Sequence, residues 1–143
     1  MSILVDTGVL YADHDTDATR HESASHALDA VFDGRFGQPY VSDYIYDEVI
    51  TLTLKRSGSH AAATTLGRRI RGVDPYPNAY EWLRVSSAVF ADAIEVFERF
   101  DDQRLSFTDV TTVALTDRYD IDHVLSFDDD FDGLVDRLDP ASM

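Results

Sequence analysis

Leu105-Ser106-Phe107-Thr108-Asp109-Val110-Thr111-Thr112-Val113-Ala114-Leu115 is the stretch on which the reading of this chain turns. Ser106, Thr108 and Asp109 open an apolar run, which predicts a helix start with its caps and first-turn carboxylate in place. Val110, Val113 and Ala114 then mark one face at helical spacing. Asp109 stands one turn before Val113, on the edge of the face that such a helix buries. A carboxylate there costs free energy unless a cation or a hydrogen-bond donor meets it. The helix N-terminus favours its ionised form. Asp109 is therefore either an ordinary first-turn residue or a metal ligand, and three further acids in matching contexts weigh toward the ligand.

Outward from that stretch the chain alternates short apolar runs with amphipathic ones. Ser2 to Val5 is apolar without alternation, the pattern of a strand buried on both faces, and it ends at Asp6-Thr7-Gly8. Asp13 to Asp17 is polar and reads as a solvated loop. Ala24, Ala27, Leu28, Val31 and Phe32 give a helical stripe between His21 and the breakers Gly34 and Gly37. Pro39 to Val41 is the next strand, with Ser42 or Asp43 capping a helix whose face is Ile45, Val49 and Leu52. Glu48 falls on that face, where an apolar residue is expected, and the neighbouring Asp47 falls off it.

Gly58 to Gly72 predicts another helix, followed by a loop at Pro75 and Pro77. Glu81 to Val85 reads as a third strand. Ser86 caps a helix with Val89, Ala93, Val96, Phe97 and Phe100 on its face, closed by Asp101 to Arg104. Beyond the opening stretch, His123 to Phe127 is a fourth strand that runs into an acidic segment, Asp128 to Asp132, and an edge strand is expected near Val135 to Leu138. Apolar strands alternating with helices imply a parallel sheet covered on both faces. The expected fold is a three-layer α/β/α sandwich around a mainly parallel sheet of four to five strands, one domain over residues 1–143.

Composition narrows the class. At 143 residues and 44% hydrophobic content the chain can form one core, and it is not a disordered sequence. It has no cysteine, which excludes disulfides and thiolate metal sites. It shows neither a signal-peptide pattern nor a membrane-span pattern, so a soluble cytoplasmic protein is expected. Twenty-seven acids against twelve bases leave a net charge of −15, and Lys55 is the one lysine. Such a surface repels polyanions at ordinary ionic strength but is screened in concentrated salt. The charge reads as a halophilic habitat signal rather than as a clue to substrate.

In a parallel α/β sheet, sites form beyond the carboxyl ends of the strands. Asp6 ends the first strand and Asp128 follows the fourth. Glu48 and Asp109 lie early in helices, so all four can face one crevice. Four converging carboxylates raise one another's pKa unless cations intervene. Oxygen-liganded Mg²⁺ or Mn²⁺, one ion or two, resolves the conflict and suits hydrolysis of a phosphodiester by activated water.

With these pieces in order, the chain resembles the PIN-domain family, and within it the VapC-like toxins of toxin–antitoxin pairs. The resemblance rests on Val5-Asp6-Thr7, on Ser42 to Leu52 around Glu48, on Leu105 to Asp109, and on Leu125 to Asp128 with Phe131. It implies a Mg²⁺- or Mn²⁺-dependent endoribonuclease, usually a homodimer, silenced by a small antitoxin protein. It also implies Asp6, Glu48, Asp109 and Asp128 as the acidic quartet that binds metal and catalyses. Thr7 and Ser126 match the family's accompanying hydroxyls, with capping as their other role. Asp129, Asp130 and Asp132 compete with Asp128 as fourth acid, and the family pattern selects Asp128.

A further feature needs no resemblance. Between Glu48 and Asp74 there is no acid, while Lys55, Arg56, Arg68, Arg69 and Arg71 all fall in that interval. This basic surface is a candidate for contacting RNA phosphates or, alternatively, an acidic partner or second subunit. The five histidines have no zinc spacing, and the aromatic residues fit core packing better than base stacking. Two rival functions remain: a non-catalytic module of the same fold that binds RNA or protein, and a receiver-type phosphoacceptor. The second calls for a lysine near the late strands, where this chain has none.

Overall fold

Five short segments carry the extended backbone: β1 (Ser2–Val5), β2 (Gln38–Ser42), β3 (Glu81–Leu83), β4 (His123–Leu125) and β5 (Arg137–Leu138). In the computed structural model, which describes residues 1–102 and 104–143, they form one sheet. Its order is β3-β2-β1-β4-β5 and every pairing is parallel. Ile3, Leu4 and Val5 are fully buried, as are Val124 and Leu125, which explains why these runs lack polar alternation.

Among the described residues, six α-helices connect the strands: α1 (Thr7–His14), α2 (His21–Phe32), α3 (Asp43–Ser57), α4 (His60–Arg71), α5 (Ser87–Arg99) and α6 (Phe107–Arg118). The chain steps outward from β1 to β3, then returns to β4 on the other flank of β1. Right-handed crossovers therefore place α1 to α4 on one face of the sheet and α5 with α6 on the other. The packing follows this division, with α1 against α2 and α3, α3 against α4, and α5 against α6. This is the three-layer α/β/α arrangement that the sequence predicts.

The helix starts are fixed chemically. The Ser42, Ser59, Ser86 and Ser106 hydroxyls each accept a hydrogen bond from a first-turn backbone N–H. At α6 the cap is reciprocal, because Asp109 also accepts from the Ser106 N–H at 2.9 Å. Val110 to Leu115 are then buried without interruption, including Thr111 and Thr112. Thr111 tolerates that burial by donating its hydroxyl to the Thr108 carbonyl at 2.6 Å.

Several expectations change. The segment from Asp13 to Asp17 is not wholly a loop, since α1 runs through His14. Its eight residues are too few to show a full periodic pattern, and packing against α2 and α3 stabilises it. Strand β4 stops at Leu125, two residues early, where the Ser126 hydroxyl accepts a hydrogen bond from the Asp128 N–H and the chain turns. On α5, Val89 and Ala93 are buried but Phe97 is half-exposed, beside the exposed Phe90 and Ile94. That helix carries two apolar stripes, of which only one faces the core. The segment closing α5 includes Gln103, which lies outside the described residues. Among the described residues, no helix is long and apolar enough to cross a membrane.

Candidate functional site

The sheet order reverses between β1 and β4, which makes the crevice at their carboxyl ends the expected binding place. Register fixes what stands there. Val5 pairs with Leu125, so the next residues, Asp6 and Ser126, emerge side by side. The Asp6 N–H donates to the Leu125 carbonyl at 3.0 Å, and the Ser126 hydroxyl donates to the Asp6 carboxylate at 2.7 Å. The same hydroxyl accepts from the Asp128 N–H at 3.0 Å. Ser126 thus ties the acid of β1 to the acid that follows β4. The sequence allowed it capping or site support, and it supplies both contacts with one oxygen.

Helices α3 and α6 bring the other two carboxylates. The Ser42 cap starts α3 so that Ile45 and Val49 face the core, which leaves Glu48 half-buried between them on the cleft side. The capping box of α6 holds Asp109 by one oxygen. Asp6, Glu48, Asp109 and Asp128 all line one open cleft of about 610 Å³, together with Thr7, Ser106, Ser126 and Asp129. Asp47 points outward and is exposed, as its periodicity predicts.

The electrostatics of the cleft are strained. Burial raises the Asp6 carboxyl to about 7 against the opposing Ser126 hydrogen bond, with the charges of Asp109 and Glu48 adding to the rise. Burial likewise raises Asp109 to about 6 despite its hydrogen bonds to Ser106, with Glu48 and Asp128 contributing. Thr7 is buried against the same cleft, and its hydroxyl oxygen has no hydrogen-bond partner among the described residues. Thr7 is the first residue of α1, and Asp6 is the N-cap without using its side chain as a cap. The donor set is all oxygen, it carries excess negative charge, and it includes an unsatisfied buried hydroxyl. That chemistry fits a hard divalent cation such as Mg²⁺ or Mn²⁺.

The four aspartates after β4 separate by their surroundings. Asp132 is bound by Arg137 at 2.7 and 3.1 Å, which lowers its pKa and ties it away from the cleft. Asp130 donates its backbone N–H to Asp128 at 2.9 Å. Asp128 and Asp129 line the cleft, and Asp130 does not. Carboxylate oxygens of Asp128, Asp129 and Asp130 also lie within 4.8 Å of one another on the rim.

The basic interval is divided between two helix ends. Lys55 and Arg56 end α3, while Arg68, Arg69 and Arg71 fill the last turn of α4, where cations complement the helix dipole. Arg69 is engaged with Asp13 at 3.2 Å beside a largely apolar cavity of about 360 Å³. Of the five, Arg56 lines a cavity that adjoins the cleft. Sequence reasoning passed over Arg20, which lines the acidic cleft itself, its guanidinium 4.8 Å above the Phe127 ring. Arg20 and Phe127 meet only in the fold, and no local pattern signals the pair.

Comparison with known proteins agrees with this architecture. The family model described as PIN domain matches residues 3–136. Ribonuclease VapC26 of Mycobacterium tuberculosis is 28% identical over 126 residues, covering 88% of this chain and 86% of that protein. Among solved structures, Mycobacterium tuberculosis VapC20, described as a sarcin-ricin loop cleaving toxin, superposes with a TM-score of 0.78 at 26% identity. That match covers 90% of this chain and 92% of the other. A toxin–antitoxin complex from Klebsiella pneumoniae shares the fold at a TM-score of 0.64 and 16% identity, covering 96% and 97% of the respective chains.

Proposed function

The chain belongs to the PIN-domain family, and from that premise we propose that it is a metal-dependent endoribonuclease, the VapC-like toxin of a toxin–antitoxin pair. The observation that carries this reading is the convergence of Asp6, Glu48, Asp109 and Asp128 on one cleft at the topological switch point. The likeness to a ribonuclease and to a toxin supports the substrate class and the biological setting.

In this reading Asp6, Glu48, Asp109 and Asp128 hold one or two Mg²⁺ or Mn²⁺ ions, with Thr7 as a supporting hydroxyl. A bound ion supplies Lewis acidity toward a phosphoryl oxygen and lowers the pKa of water. The protein's own groups do the positioning. Ser126 fixes the spacing of Asp6 and Asp128, and Ser106 leaves one Asp109 oxygen free. One carboxylate orients the attacking water and takes its proton. The water oxygen bonds to phosphorus as the bond to the 3′-oxygen breaks and that oxygen is protonated, leaving a 5′-phosphate and a 3′-hydroxyl.

The antitoxin fits the same charge logic. A short partner with an arginine-bearing tail would neutralise the cleft through bidentate carboxylate contacts. A homodimeric, cytoplasmic toxin from a salt-rich cell completes the proposal, the last element resting on the net charge of −15.

The deciding experiment is cleavage of total cellular RNA by the purified protein in high salt, with Mn²⁺, with chelator, and with Asp6→Ala. The expected result is a small set of mapped cuts bearing 5′-phosphates, present only in the Mn²⁺ lane of the unaltered protein. Cuts that persist in chelator or in the variant would remove the metal-nuclease reading. A protein that binds RNA and no divalent ion would be the non-catalytic module instead.

A further inference from the structure

The acidic cleft does not end at its rim. It shares Gly8, Arg20 and Leu52 with a second cavity of about 450 Å³, which continues to Tyr11 and Arg56 and is also lined by Asp15 and Asp17. Two arginines therefore stand along a groove that leads out of a carboxylate cluster. Both are exposed, and neither forms an ion pair within 4.0 Å among the described residues. For Arg20 this is notable, because Glu48, Asp109 and Asp128 line the same cleft. Its guanidinium carbon instead lies over the Phe127 ring, 4.8 Å from the centroid, and that of Arg56 lies over Tyr11 at 4.8 Å. Held over a ring rather than in a close ion pair, each guanidinium keeps its charge available to an oxyanion.

Gly8 is an independent sign of the same occupant. It lies in the first turn of α1, where alanine is the more stable helix residue. A Cβ built on Gly8 meets nothing within 4 Å, so no packing demand of the chain accounts for the glycine. The space over its backbone lies on the path between the acids and Arg56. Glycine at such a place permits close approach of a ligand.

We infer that Gly8, Arg20 and Arg56 form a subsite for the sugar-phosphate backbone of single-stranded RNA, continuing from the acidic cleft. This rests on the nuclease reading for the identity of the polymer; it adds Gly8 and Arg20, and of the five basic candidates in the sequence it selects Arg56. Arg20 and Arg56 take phosphates on the strand that passes through the cleft, and Gly8 leaves the floor low enough for the strand to pass. In a chain of net charge −15, two arginines without a close ion pair among the described residues offset the repulsion where the polyanion must enter.

The test is binding of a labelled single-stranded RNA oligonucleotide, measured by anisotropy across the KCl range in which the protein stays folded. It is run in Mn²⁺ on an Asp109→Asn background, so that the RNA survives. Arg20→Gln and Arg56→Gln are each expected to weaken binding about fivefold to tenfold and to lower the salt slope by about 0.7. Arg20→Lys should restore the slope but not the full affinity, because it keeps the charge and loses the fork. Gly8→Leu should weaken binding with the slope unchanged, a steric effect without a charge effect. Arg99→Gln and Arg118→Gln, on the opposite layer, should alter neither quantity.

Unchanged affinity and slope in both Arg20→Gln and Arg56→Gln would overturn the subsite. So would equal losses in Arg99→Gln and Arg118→Gln, or the absence of RNA binding by the background protein. Failure of the nuclease reading looks different. Unaltered protein that binds RNA and cuts none of it would remove catalysis, while a lowered slope in the two arginine variants would leave the backbone subsite standing.

Discussion

Two acid-lined grooves of this molecule are built differently. One is the cleft at the carboxyl ends of β1 and β4. The other, of about 710 Å³, lies between α5 and α6 near the start of β4, where Asp92, Glu95, Asp117, Asp120 and Asp122 gather. The outer groove is the larger of the two, yet its acids are exposed or already met by a donor: Arg118 meets Asp92 at 2.9 Å, and Asp122 accepts from the Ser2 N–H at 3.0 Å. In the cleft, Asp6 is buried and its carboxyl is raised to about 7, and Asp109 is raised to about 6. An abundance of carboxylates therefore says little in a chain this acidic. What distinguishes the cleft is convergence under burial, with oxygens held by Ser106 and Ser126.

The largest expected effect comes from cutting that convergence. Asp109→Asn should lower RNA cleavage by about a thousandfold, the scale of removing one group that stabilises developing charge. Asp117→Asn and Asp120→Asn in the outer groove should leave the rate within about twofold, since surface changes of this kind are nearly neutral. Initial rates on one RNA substrate in Mn²⁺ decide it, and equal losses in both grooves would abolish the distinction. One step smaller is Ser126→Ala, which keeps all four acids but unties Asp6 from Asp128. A roughly 10- to 100-fold loss of metal affinity is expected, the usual cost of removing a group that orients ligands. Calorimetric titration with Mn²⁺ measures it.

The next effect concerns stability and has a definite sign. Folding raises the Asp6 carboxyl from 3.8 to about 7, so between those values the folded chain holds a proton that the unfolded chain has lost. Stability without metal must then fall as pH rises through that window, and Asp109 adds a weaker contribution of the same sign. Asp6→Asn removes the main source of the decline. Above pH 7 and in chelator the variant should be more stable than the parent by about 2 kcal/mol, with the gap closing toward pH 4. Denaturant midpoints at several pH values test this, and a gap independent of pH would show that the acid is not desolvated. Added Mn²⁺ should reverse the order, because only the parent gains from binding it.

Legibility in the sequence followed the range of the interactions. The α6 start was readable because Ser106, Asp109 and the apolar face beyond them lie within one turn and its continuation. The buried strands were readable for the same reason, as were Glu48 and Asp47, which periodicity alone assigned to the inner and outer sides of α3. Thr7 and Ser126 were visible as hydroxyls beside acids, but not the bond of Ser126 to Asp6, which spans 120 positions and depends on strand register. Helix α1 was hidden by its shortness, and Asp13 within it finds Arg69 and Ser25 only in the fold. Phe97 was assigned to the core because α5 has a second apolar stripe, and periodicity cannot say which stripe turns inward. Arg20 and Phe127 show the limit most plainly, since neither residue is distinctive until the other is beside it.

The smallest expected effect lies in the outer groove and completes the contrast. Arg118 donates through Nε and Nη2 to a single Asp92 oxygen, at 3.2 and 2.9 Å, and joins α6 to α5. By geometry alone this pair looks as well made as the contacts of Asp6. Both side chains are about four-tenths exposed, however, so water and salt already solvate each charge. Arg118→Gln should change stability by no more than about 0.5 kcal/mol, and by less as KCl rises. Loss of the charge also leaves Asp92 unpaired among other acids, a cost that the same salt screens. A change above about 1.5 kcal/mol that persists in concentrated KCl would mean that the outer groove holds its charges as tightly as the cleft does. In that case burial would no longer separate the two.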